Sequence, residues 1–382
     1  MKEVGTDPIK RERLIRLQDQ MKRQEVGALY LGDGVNVRYA LNLTVPGGKV
    51  FVPVEGEPLA FARSRDFGYV RSNHSNTELL SYNVTSTWVP KNAENVGRFA
   101  HRLMELMAEH GVAGEPLGLD ATGAGIFLAL AAAGAKIADA MPVIERARSI
   151  KSDAEVAIYR QIGKQYGRTM TKFRQAIRPG VTEKELYAVI GAAWYESGGD
   201  DIGQLNVCSG ENMNPWGRWP TERRLGAGEF VGADLHGIGG AGLWGDVSRT
   251  FLVGDRPSGA QRDLYRRAYD YLNAATGLFR GGAAFAEIKE RVPEVPEKYR
   301  VPLYRYNIAH STGMTPNGYP QVDKERGSLD DHLMANQVLA VESYFGEEGS
   351  PLAVKLEHQI VVRDGAPEIL DAGVPVEDRL LG

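Results

Sequence analysis

The feature that most constrains this chain is a predicted hairpin that carries an acid on each strand. The stretch ADLHGIGGAGLWGDVSRTF, residues 233–251, has β-type flanks around a glycine cluster, and a tight turn needs residues that tolerate positive φ. Pairing the flanks about that turn sets Asp234 across from Asp246, give or take a bulge. Because like charges directly opposite one another destabilise a strand pair, this arrangement requires a compensating charge.

A second predicted hairpin repeats the problem. In VLAVESYFGEEGSPLAVKLEHQIVV, pairing about the GEEGSP loop sets Glu342 against Glu357. Protonation can relieve one such pair, since two carboxylates that share a site raise one pKa strongly, and a bound divalent cation is the other solution. Four acids are too many for shared protons alone, so we predict two metal ions about 3.5–4 Å apart, bridged by carboxylates and a water.

A histidine is expected to complete such a site. His310, in YRYNIAHSTGM, follows a short β-type run and precedes a Ser-Thr-Gly turn that would present it at a sheet edge. The alternatives are a surface or core histidine at this position, and an Asp246 that merely pairs with Arg249 or caps a turn. His236 lies two residues after Asp234, hence on the same strand face, where it either lines the site or has a structural role.

Composition limits the partners of the chain. Its 382 residues exceed one ordinary core and are enough for two domains. The net charge of −4 gives no reason to expect nucleic acid or an anionic membrane as a partner, and no apolar run reaches membrane-spanning length. With one cysteine, Cys208, and a polar start that does not predict a signal peptide, we expect a cytoplasmic protein.

The predicted secondary-structure pattern of the sequence changes near residue 150. Residues 1–150 are predicted to form a compact α/β domain that opens with a helix, RERLIRLQDQMKRQEVG. Short strands are predicted in ALYLG, VRYALNL, KVFVPV, PLGLD and IADAMPVI.

Residues 151–382 are predicted to form a second domain. It begins with two helices whose starts have the capping-box spacing, and strand-rich, glycine-rich sequence follows, with a helical insert at about 259–291. The capping pairs are Ser152 with Glu155 and Thr182 with Glu185.

The order of the acids and the histidine resembles a known family, the metallopeptidase superfamily that contains prolidase, aminopeptidase P, methionine aminopeptidase and creatinase. The matching positions are Asp234, Asp246 in GDVSRTF, His310, Glu342 in VESYFGEEG and Glu357 in KLEHQIVV. RLQDQMKRQEVGALYLGDGVNVRYALNL, RSIKSDAEVAIYRQ and IRPGVTEKEL extend the similarity over nearly the whole chain. The resemblance implies an α+β fold, in which a pita-bread catalytic domain with a curved antiparallel sheet follows a smaller creatinase/prolidase-type α/β domain.

The resemblance also implies roles for these residues. Asp234, Asp246 and Glu357 would be the carboxylate core, with Asp246 and Glu357 bridging two divalent ions, while His310 and Glu342 would ligate one ion. Manganese, cobalt, zinc or iron suits an oxygen-rich site with one imidazole. A water that bridges both ions becomes a nucleophile near neutral pH, and Glu342 would take its proton. Relatives are generally dimers, so we expect a homodimer.

Several positions depart from the family's peptidases. Those enzymes carry a histidine after a Ser-Gly-x-Asn loop, which falls near Gly217 in SGENMNPWGRWPTERRL. A second family histidine is Asn317 here, and Gly318 replaces the glutamate beside it. The NPW sequence is similar instead to a non-peptidase branch that includes a dimethylsulfoniopropionate lyase. That lyase has an acid at the position of His236 and its candidate base in the turn where this chain has Pro316.

These observations predict a dinuclear metal-dependent hydrolase that cuts a C–N bond in a small polar substrate bearing a carboxylate. Trp216 and Trp219 would form the pocket walls, Arg218 would hold the carboxylate, and His236 and Asn317 would complete the substrate-binding set. An equally weighted alternative is that WGRWP forms a packed loop in which Arg218 pairs with a nearby acid. The alternative functions are an Xaa-Pro dipeptidase or aminopeptidase, a metal-dependent lyase similar to the dimethylsulfoniopropionate enzyme, and a non-catalytic binding module.

Overall fold

The computed structural model describes residues 7–45, 47–79, 92–217, 219–300, 307–323 and 331–382. The chain divides into two units, Met1–Arg148 and Ser149–Gly382. Both units combine helices with strands. Within the described ranges, no helix is at once long and apolar enough to cross a membrane.

The N-terminal unit contains a mixed parallel and antiparallel sheet with helices packed on it. Its strands are β1 (Ala28–Leu31), β2 (Lys49–Pro53), β3 (Leu59–Ala62), β4 (Thr77–Leu79), β5 (Leu117–Leu119) and β6 (Ile137–Asp139). Its helices are α1 (Pro8–Arg23), α2 (Gly34–Leu41), α3 (Phe67–Asn73), α4 (Asn92–Glu109), α5 (Ala124–Ala132) and α6 (Met141–Ser149). The strand order is β4-β3-β2-β1-β5-β6, in which β1–β2 and β2–β3 are antiparallel and the other pairs are parallel.

The first helix forms as its sequence predicts. Leu14, Leu17 and Met21 recur at helical spacing, and all three are buried. The side chain of Asp7 accepts a hydrogen bond from the N–H of Ile9 at 3.1 Å, which satisfies one of the unpaired donors at the helix start. Local propensity, amphipathic spacing and capping therefore agree.

One predicted strand of this unit is wrong, and another is shorter than predicted. VRYALNL lies mostly in helix α2 because Asp33 caps the helix start, accepting hydrogen bonds from the N–H groups of Val35 (2.8 Å) and Asn36 (3.3 Å). Asn42 ends the helix in the left-handed conformation. IADAMPVI is a strand only at its start, since Asp139 accepts from the N–H of Met141 at 2.9 Å and helix α6 begins there.

The C-terminal unit consists of antiparallel strands and four named helices. The helices are α7 (Asp153–Ala176), α8 (Glu183–Glu196), α9 (Gly259–Thr276) and α10 (Phe285–Arg291), of which the last two divide the predicted insert. The strands are β7 (Asp201–Ser209), β8 (Phe230–Ile238), β9 (Val247–Leu252), β10 (Asn307–Ser311), β11 (Gly318–Asp323), β12 (Val338–Gly346), β13 (Ala353–Val361) and β14 (Glu368–Ile369).

Both predicted capping boxes are confirmed. The N–H of Glu155 donates to Ser152 Oγ at 3.2 Å, and the N–H of Ser152 donates back to Glu155 at 3.0 Å. Thr182 and Glu185 make the same reciprocal pair at 3.1 and 2.7 Å. Each box satisfies two helix-end donors, so the starts of α7 and α8 follow from local sequence.

The strands of this unit form two antiparallel sheets that meet beside the acids. One sheet has the order β7-β8-β9, and the other has the order β11-β10-β12-β13-β14. Strand β9 packs against β13, where the hydroxyl of Thr250 donates to the carbonyl of Lys355 (2.9 Å) and accepts from its N–H (3.1 Å). The two predicted hairpins, β8–β9 and β12–β13, are thereby held side by side.

The predicted register of the first hairpin is wrong by two residues. Asp234 pairs with Ser248, and the same register carried to the Ile238–Trp244 bridge sets Asp246 opposite His236. The turn is centred one residue later than expected, because Ala241 and Gly242 adopt the positive φ values of 57° and 74°. The acids of this hairpin are therefore staggered, with an imidazole facing the second of them.

Candidate metal centre

The four acids singled out by the sequence converge in the C-terminal unit. Asp234 lies on β8, Asp246 directly precedes β9, Glu342 lies on β12 and Glu357 on β13. All four side chains are buried. In the second hairpin, Glu342 and Glu357 are directly opposite each other, as predicted. Several buried carboxylates at close range require neutralisation by protons or by cations.

His310 lies at this cluster on strand β10. Its Nε2 is 3.2 Å from Glu342 Oε1 and 3.4 Å from Asp246 Oδ2. Burial alone would lower the pKa of His310, but the hydrogen bond and charge of Glu342 outweigh it and raise that pKa. The histidine is thus oriented toward the acids, as the sequence predicts, and not toward solvent.

His236 lies close to two of the same acids. Its Nε2 is 3.5 Å from Asp246 Oδ1 and 3.6 Å from Asp234 Oδ1. Burial lowers the pKa of His236, which favours the neutral form that can ligate a metal. Of the two oxygens of Asp246, one therefore faces His236 and the other faces His310.

Lys355 is a member of the cluster that the sequence analysis missed. It lies on β13 two residues before Glu357, hence on the same strand face, and it is buried. Its Nζ is 3.0 Å from Glu342 Oε2 and 3.6 Å from Asp234 Oδ2, and it also contacts Glu357 Oε1 closely. The spacing to Glu357 was the available signal, because every second strand residue shares a face.

Burial and charge set the pKa order of the acids. Burial, and next the charge of Asp234, raise the pKa values of Asp246 and Glu357 well above their usual range. Burial also acts to raise the pKa of Glu342, but Lys355 and His310 outweigh it and hold that pKa below its usual range. Asp246 and Glu357 are thus the acids that most need a cation to ionise.

The atoms of the cluster fit divalent ions. Within the described part of the chain, Asp234 Oδ1, both oxygens of Asp246 and Glu357 Oε2 are buried and have no hydrogen-bond partner. Asp234, His236 and Asp246 each offer one donor atom, all within 4.8 Å of one another. Donors about 2.1 Å from one ion lie roughly 3.0–3.4 Å apart, so the separations of 3.5–3.6 Å need only a small closure.

Trp216, one of the two predicted pocket walls, contacts a cluster acid. Its indole Nε1 donates to Asp234 Oδ2 at 3.4 Å. Its ring covers Gly232, where an added Cβ would lie 2.8 Å from the ring. Trp219 is 66% exposed, and Asn317 lies exposed in the turn before β11. Arg218 lies outside the described residues.

A second buried network supports strand β13. Arg249 donates to the carbonyl of Glu357 at 2.6 Å and pairs with Asp371 at 2.5 Å. His358 Nδ1 lies 3.0 Å from the same carboxylate of Asp371. The alternative pairing of Arg249 with Asp246 is therefore not what the structure has, and both carboxylate oxygens of Asp246 face the histidines.

Comparison with known proteins defines the class. Residues 157–364 match metallopeptidase family M24, and residues 13–150 match the creatinase/prolidase N-terminal domain. The chain belongs to metallopeptidase family M24, and its fold is the predicted pita-bread domain preceded by a creatinase-type domain.

The curated relatives include both lyases and peptidases. The chain is 27% identical over 294 residues to dimethylsulfoniopropionate lyase DddP of Roseovarius nubinhibens, an alignment that covers 74% of this chain and 65% of the lyase. It is 24% identical over 265 residues to Xaa-Pro aminopeptidase of Escherichia coli, covering 63% of this chain and 60% of that enzyme. The chain thus spans less than two thirds of the length of each of these two relatives.

Solved structures of prolidases share the fold. An Xaa-Pro dipeptidase from Bacillus anthracis superposes with a TM-score of 0.79 at 20% identity, covering 96% of this chain and 99% of that one. The prolidase from Pyrococcus horikoshii gives a TM-score of 0.79 at 17% identity, with the same coverage. At this identity, the likeness concerns the fold alone.

Proposed function

We propose that the protein is a dinuclear metal-dependent hydrolase that cuts a C–N bond in a small, polar, carboxylate-bearing substrate. The observation that carries the proposal is the position of Asp246, whose two oxygens lie 3.5 Å from His236 and 3.4 Å from His310. A carboxylate shared between two imidazoles is suited to sharing two ions. Asp234, Asp246, His310, Glu342 and Glu357 are the proposed ligands, and manganese is our first candidate among the possible divalent ions.

The charge of the cluster favours an anionic substrate. Lys355 offsets one of the four buried carboxylates, so two divalent ions would leave a surplus of one positive charge. A substrate carboxylate or a hydroxide would neutralise that surplus, and a buried charge is tolerated only when it is paired. A substrate carboxylate is therefore one of the two anions that the charge of the cluster favours.

The side chains of the cluster would have different roles in hydrolysis. A divalent ion supplies a water nucleophile at neutral pH by lowering the pKa of the water it binds. The resemblance gives Glu342 the role of proton acceptor, and its contacts with Lys355 at 3.0 Å and His310 at 3.2 Å would hold the carboxylate in place. Trp216 would wall the substrate beside Asp234. We keep the predicted roles of Trp219 as a second wall and of Arg218 as the residue that holds the substrate carboxylate.

Ordinary peptide cleavage is the weaker hypothesis. Asn317, at the position of a family histidine, is exposed in its turn, and Gly217 stands near the position of the other. Without these imidazoles, a peptide carbonyl would lack two groups that polarise it in the family's peptidases. We also propose a homodimer, on the resemblance alone.

A lyase is the second candidate, favoured by the relatives that carry that name. Two dimethylsulfoniopropionate lyases, from Roseovarius nubinhibens and Roseobacter denitrificans, are 27% and 25% identical to the chain over 294 residues. Against a shared reaction, His236 and Pro316 stand where the lyase has an acid and its candidate base. Elimination therefore needs a different base in this chain.

A substrate panel in heavy-oxygen water tests the proposal. The protein, loaded with manganese, would be given Xaa-Pro dipeptides, small cyclic amides, and sulfonium and betaine carboxylates. Hydrolysis places one solvent oxygen in the product, whereas elimination adds none and leaves a carbon–carbon double bond. We expect solvent oxygen in the product of a cyclic amide. Turnover of Ala-Pro at an ordinary enzymatic rate, about 1–10³ s⁻¹, or an unsaturated product, would reject the proposal.

Two controls keep that result interpretable. Asp246→Ala should be inactive on any substrate found, whereas Glu348→Gln, which changes an exposed acid in the loop between β12 and β13, should be fully active. Metal analysis addresses the non-catalytic alternative. Fewer than about one divalent ion per chain after reconstitution would favour a binding module, because dinuclear catalysis needs both ions.

A further inference from the structure

Glu183 is a buried carboxylate that has no role in the proposed hydrolysis. It is the first residue of helix α8, and its side chain is fully buried. Its oxygens accept hydrogen bonds from Ser209, Asn212 and Thr221, which lie in or flank the loop after β7. A buried carboxylate is costly unless it is paired or hydrogen-bonded, so these contacts allow Glu183 to remain buried.

The two oxygens of Glu183 hold opposite ends of this loop. Oε1 accepts from the N–H and the hydroxyl of Ser209, both at 2.8 Å. Oε2 accepts from the N–H of Thr221 at 2.9 Å and from its hydroxyl at 2.7 Å. The amide of Asn212 donates to both oxygens, at 3.0 and 3.2 Å. One side chain therefore closes the base of the segment 210–220.

Arg223 fixes the direction of the hydroxyl hydrogen bonds. Its Nη1 donates to Ser209 Oγ at 3.1 Å, and its N–H donates to Thr221 Oγ1 at 3.1 Å. Each hydroxyl oxygen thus accepts from Arg223 and keeps its own hydrogen for Glu183. Glu183 is consequently an acceptor at both of its oxygens, which is the role of a carboxylate.

The loop closed by Glu183 carries the proposed wall of the pocket. Trp216 Nε1 donates to Asp234 Oδ2 at 3.4 Å. Before Trp216, the side chain of Asn214 donates to two carbonyls in the loop between β12 and β13, at 2.8 and 2.9 Å. After Trp216, Thr221 ties the chain to Glu183. Trp216 thus lies between two anchors, of which Glu183 is the buried one.

We propose that Glu183 is a positioning residue for the substrate pocket, which holds Trp216 against Asp234 by tying both ends of the segment 210–220 to one carboxylate. Side chains at a site are held in place by hydrogen bonds from the residues around them. The inference rests on the proposed function, in which Trp216 walls the substrate. The shape of the pocket would then depend on a residue outside the metal cluster.

The test follows the indole N–H of Trp216 by nuclear magnetic resonance. The full-length protein carries heavy nitrogen in its tryptophan indoles, and Trp216→Phe assigns the signal. An amide has one acceptor oxygen, so Glu183→Gln can hold Ser209 or Thr221 but presents an N–H to the other. In the metal-free variant, we expect the Trp216 indole hydrogen to exchange with water at least about tenfold faster than in the wild type.

Two controls separate positioning from a general loss of stability. Glu185→Gln weakens the capping box of the same helix and should leave the exchange of Trp216 unchanged. Trp194 is an internal reference, because its buried indole donates to the carbonyl of Asp201 at 2.8 Å. The inference is wrong if Glu183→Gln accelerates exchange at both tryptophans alike or at neither. It is also wrong if Glu185→Gln accelerates exchange at Trp216 as strongly.

Thr221 provides a milder pair of variants in case Glu183→Gln does not fold. The residue is exposed, so both substitutions are expected to fold. Thr221→Val removes the hydroxyl that donates to Glu183 and should accelerate exchange at Trp216 by a smaller factor, whereas Thr221→Ser keeps the hydroxyl and should have the wild-type rate. Equal rates in the two variants would overturn the inference.

Manganese distinguishes a failure of this inference from a failure of the proposed function. A bound manganese ion is paramagnetic and broadens signals near it, so it should abolish the Trp216 indole signal of the wild type, whereas zinc should leave that signal visible. A Trp216 signal that survives a full load of manganese would reject the proposed metal centre beside Asp234. The exchange rates of the metal-free protein would still decide whether Glu183 positions Trp216.

Discussion

The two hairpins that carry the acids neutralise them in different ways. In β12–β13, Glu342 and Glu357 are directly opposite each other, and the ammonium group of Lys355 contacts both. In β8–β9, the acids are offset by two residues, and Asp246 faces an imidazole instead. One hairpin therefore has a lysine beside its acids, whereas the other has an imidazole whose pKa is lowered by burial.

The difference teaches where an external cation is needed. Among the carboxylate oxygens of the cluster, those buried without a hydrogen-bond partner in the described part of the chain belong to Asp234, Asp246 and Glu357, and three of these four atoms lie on the first hairpin. The acids around Lys355 are partly satisfied before any ion arrives. We therefore expect metal removal to disturb β8–β9 more than β12–β13, and the following variants separate the two hairpins.

The largest effect is expected from Asp246→Ala. Removing the carboxylate that faces both histidines should lower turnover at least about 10³-fold, because both ions lose a ligand. Metal content should fall while circular dichroism stays native. Activity within tenfold of the wild type would show that the first hairpin does not depend on an external cation.

Lys355→Met should have its main effect on the metal-free protein. Breaking a buried ion pair from one side costs about 3–5 kcal/mol, because carboxylates on the second hairpin lose their cation. Urea unfolding with and without manganese measures this loss, and we expect manganese to restore most of it. An equal loss in both conditions would assign the effect to packing and not to charge.

His236→Ala should weaken one ion selectively. If the imidazole ligates the ion beside Asp234, its loss should reduce the affinity of one ion by roughly tenfold or more and leave the other nearly unchanged. Calorimetric titration distinguishes the two. His358→Ala is the matched control, since that buried histidine contacts Asp371 and not the four acids. If the metal affinity of His236→Ala equals that of the wild type, His236 is not a ligand and has a structural role.

The smallest effect is expected at Glu368, which is paired near the surface. Arg160 lies 2.6 Å from Glu368, Arg363 contacts it too, and together they lower its pKa to about 2 despite partial burial. A depressed carboxylate pKa stabilises the fold above the unfolded value of about 4.3. The stabilisation disappears as the pH falls through about 2.

Glu368→Gln should therefore cost no more than about 1 kcal/mol at neutral pH, because solvent screens the pair. The cost should vanish near pH 2, where the wild-type carboxylate loses its charge. Thermal unfolding across this pH range is the measurement. A cost that persists at the acidic end would show that Glu368 acts through packing, unlike the buried acids.

Local signals made part of the fold predictable from the sequence. The capping boxes at Ser152 and Thr182 and the opposition of Glu342 to Glu357 depend on residues near one another in the chain, and all three are found. The strand predicted in VRYALNL failed because the apolar residues fit a strand, while Asp33 and Asn42 set helix ends. Helix caps outweighed side-chain preference there.

The candidate site could be predicted only in part, because its geometry depends on contacts across sheets. The acids and His310 were identified from their order, but the two-residue error in the β8–β9 register hid the contact of His236 with Asp246. Lys355 was overlooked because a strand lysine ordinarily faces solvent. Its burial arises from the packing of β9 on β13, which no local pattern reports.

Thr250 couples the two sheets through its hydrogen bonds to the backbone of Lys355. Its hydroxyl holds both the carbonyl and the N–H of Lys355, at 2.9 and 3.1 Å, so the residue that carries the ammonium group is clamped by a neighbour from the other hairpin. Any sliding of β9 along β13 would drag the charge with it. The two acid-bearing hairpins, β8–β9 and β12–β13, are thus mechanically coupled, and a shift of one would move the acids of the other.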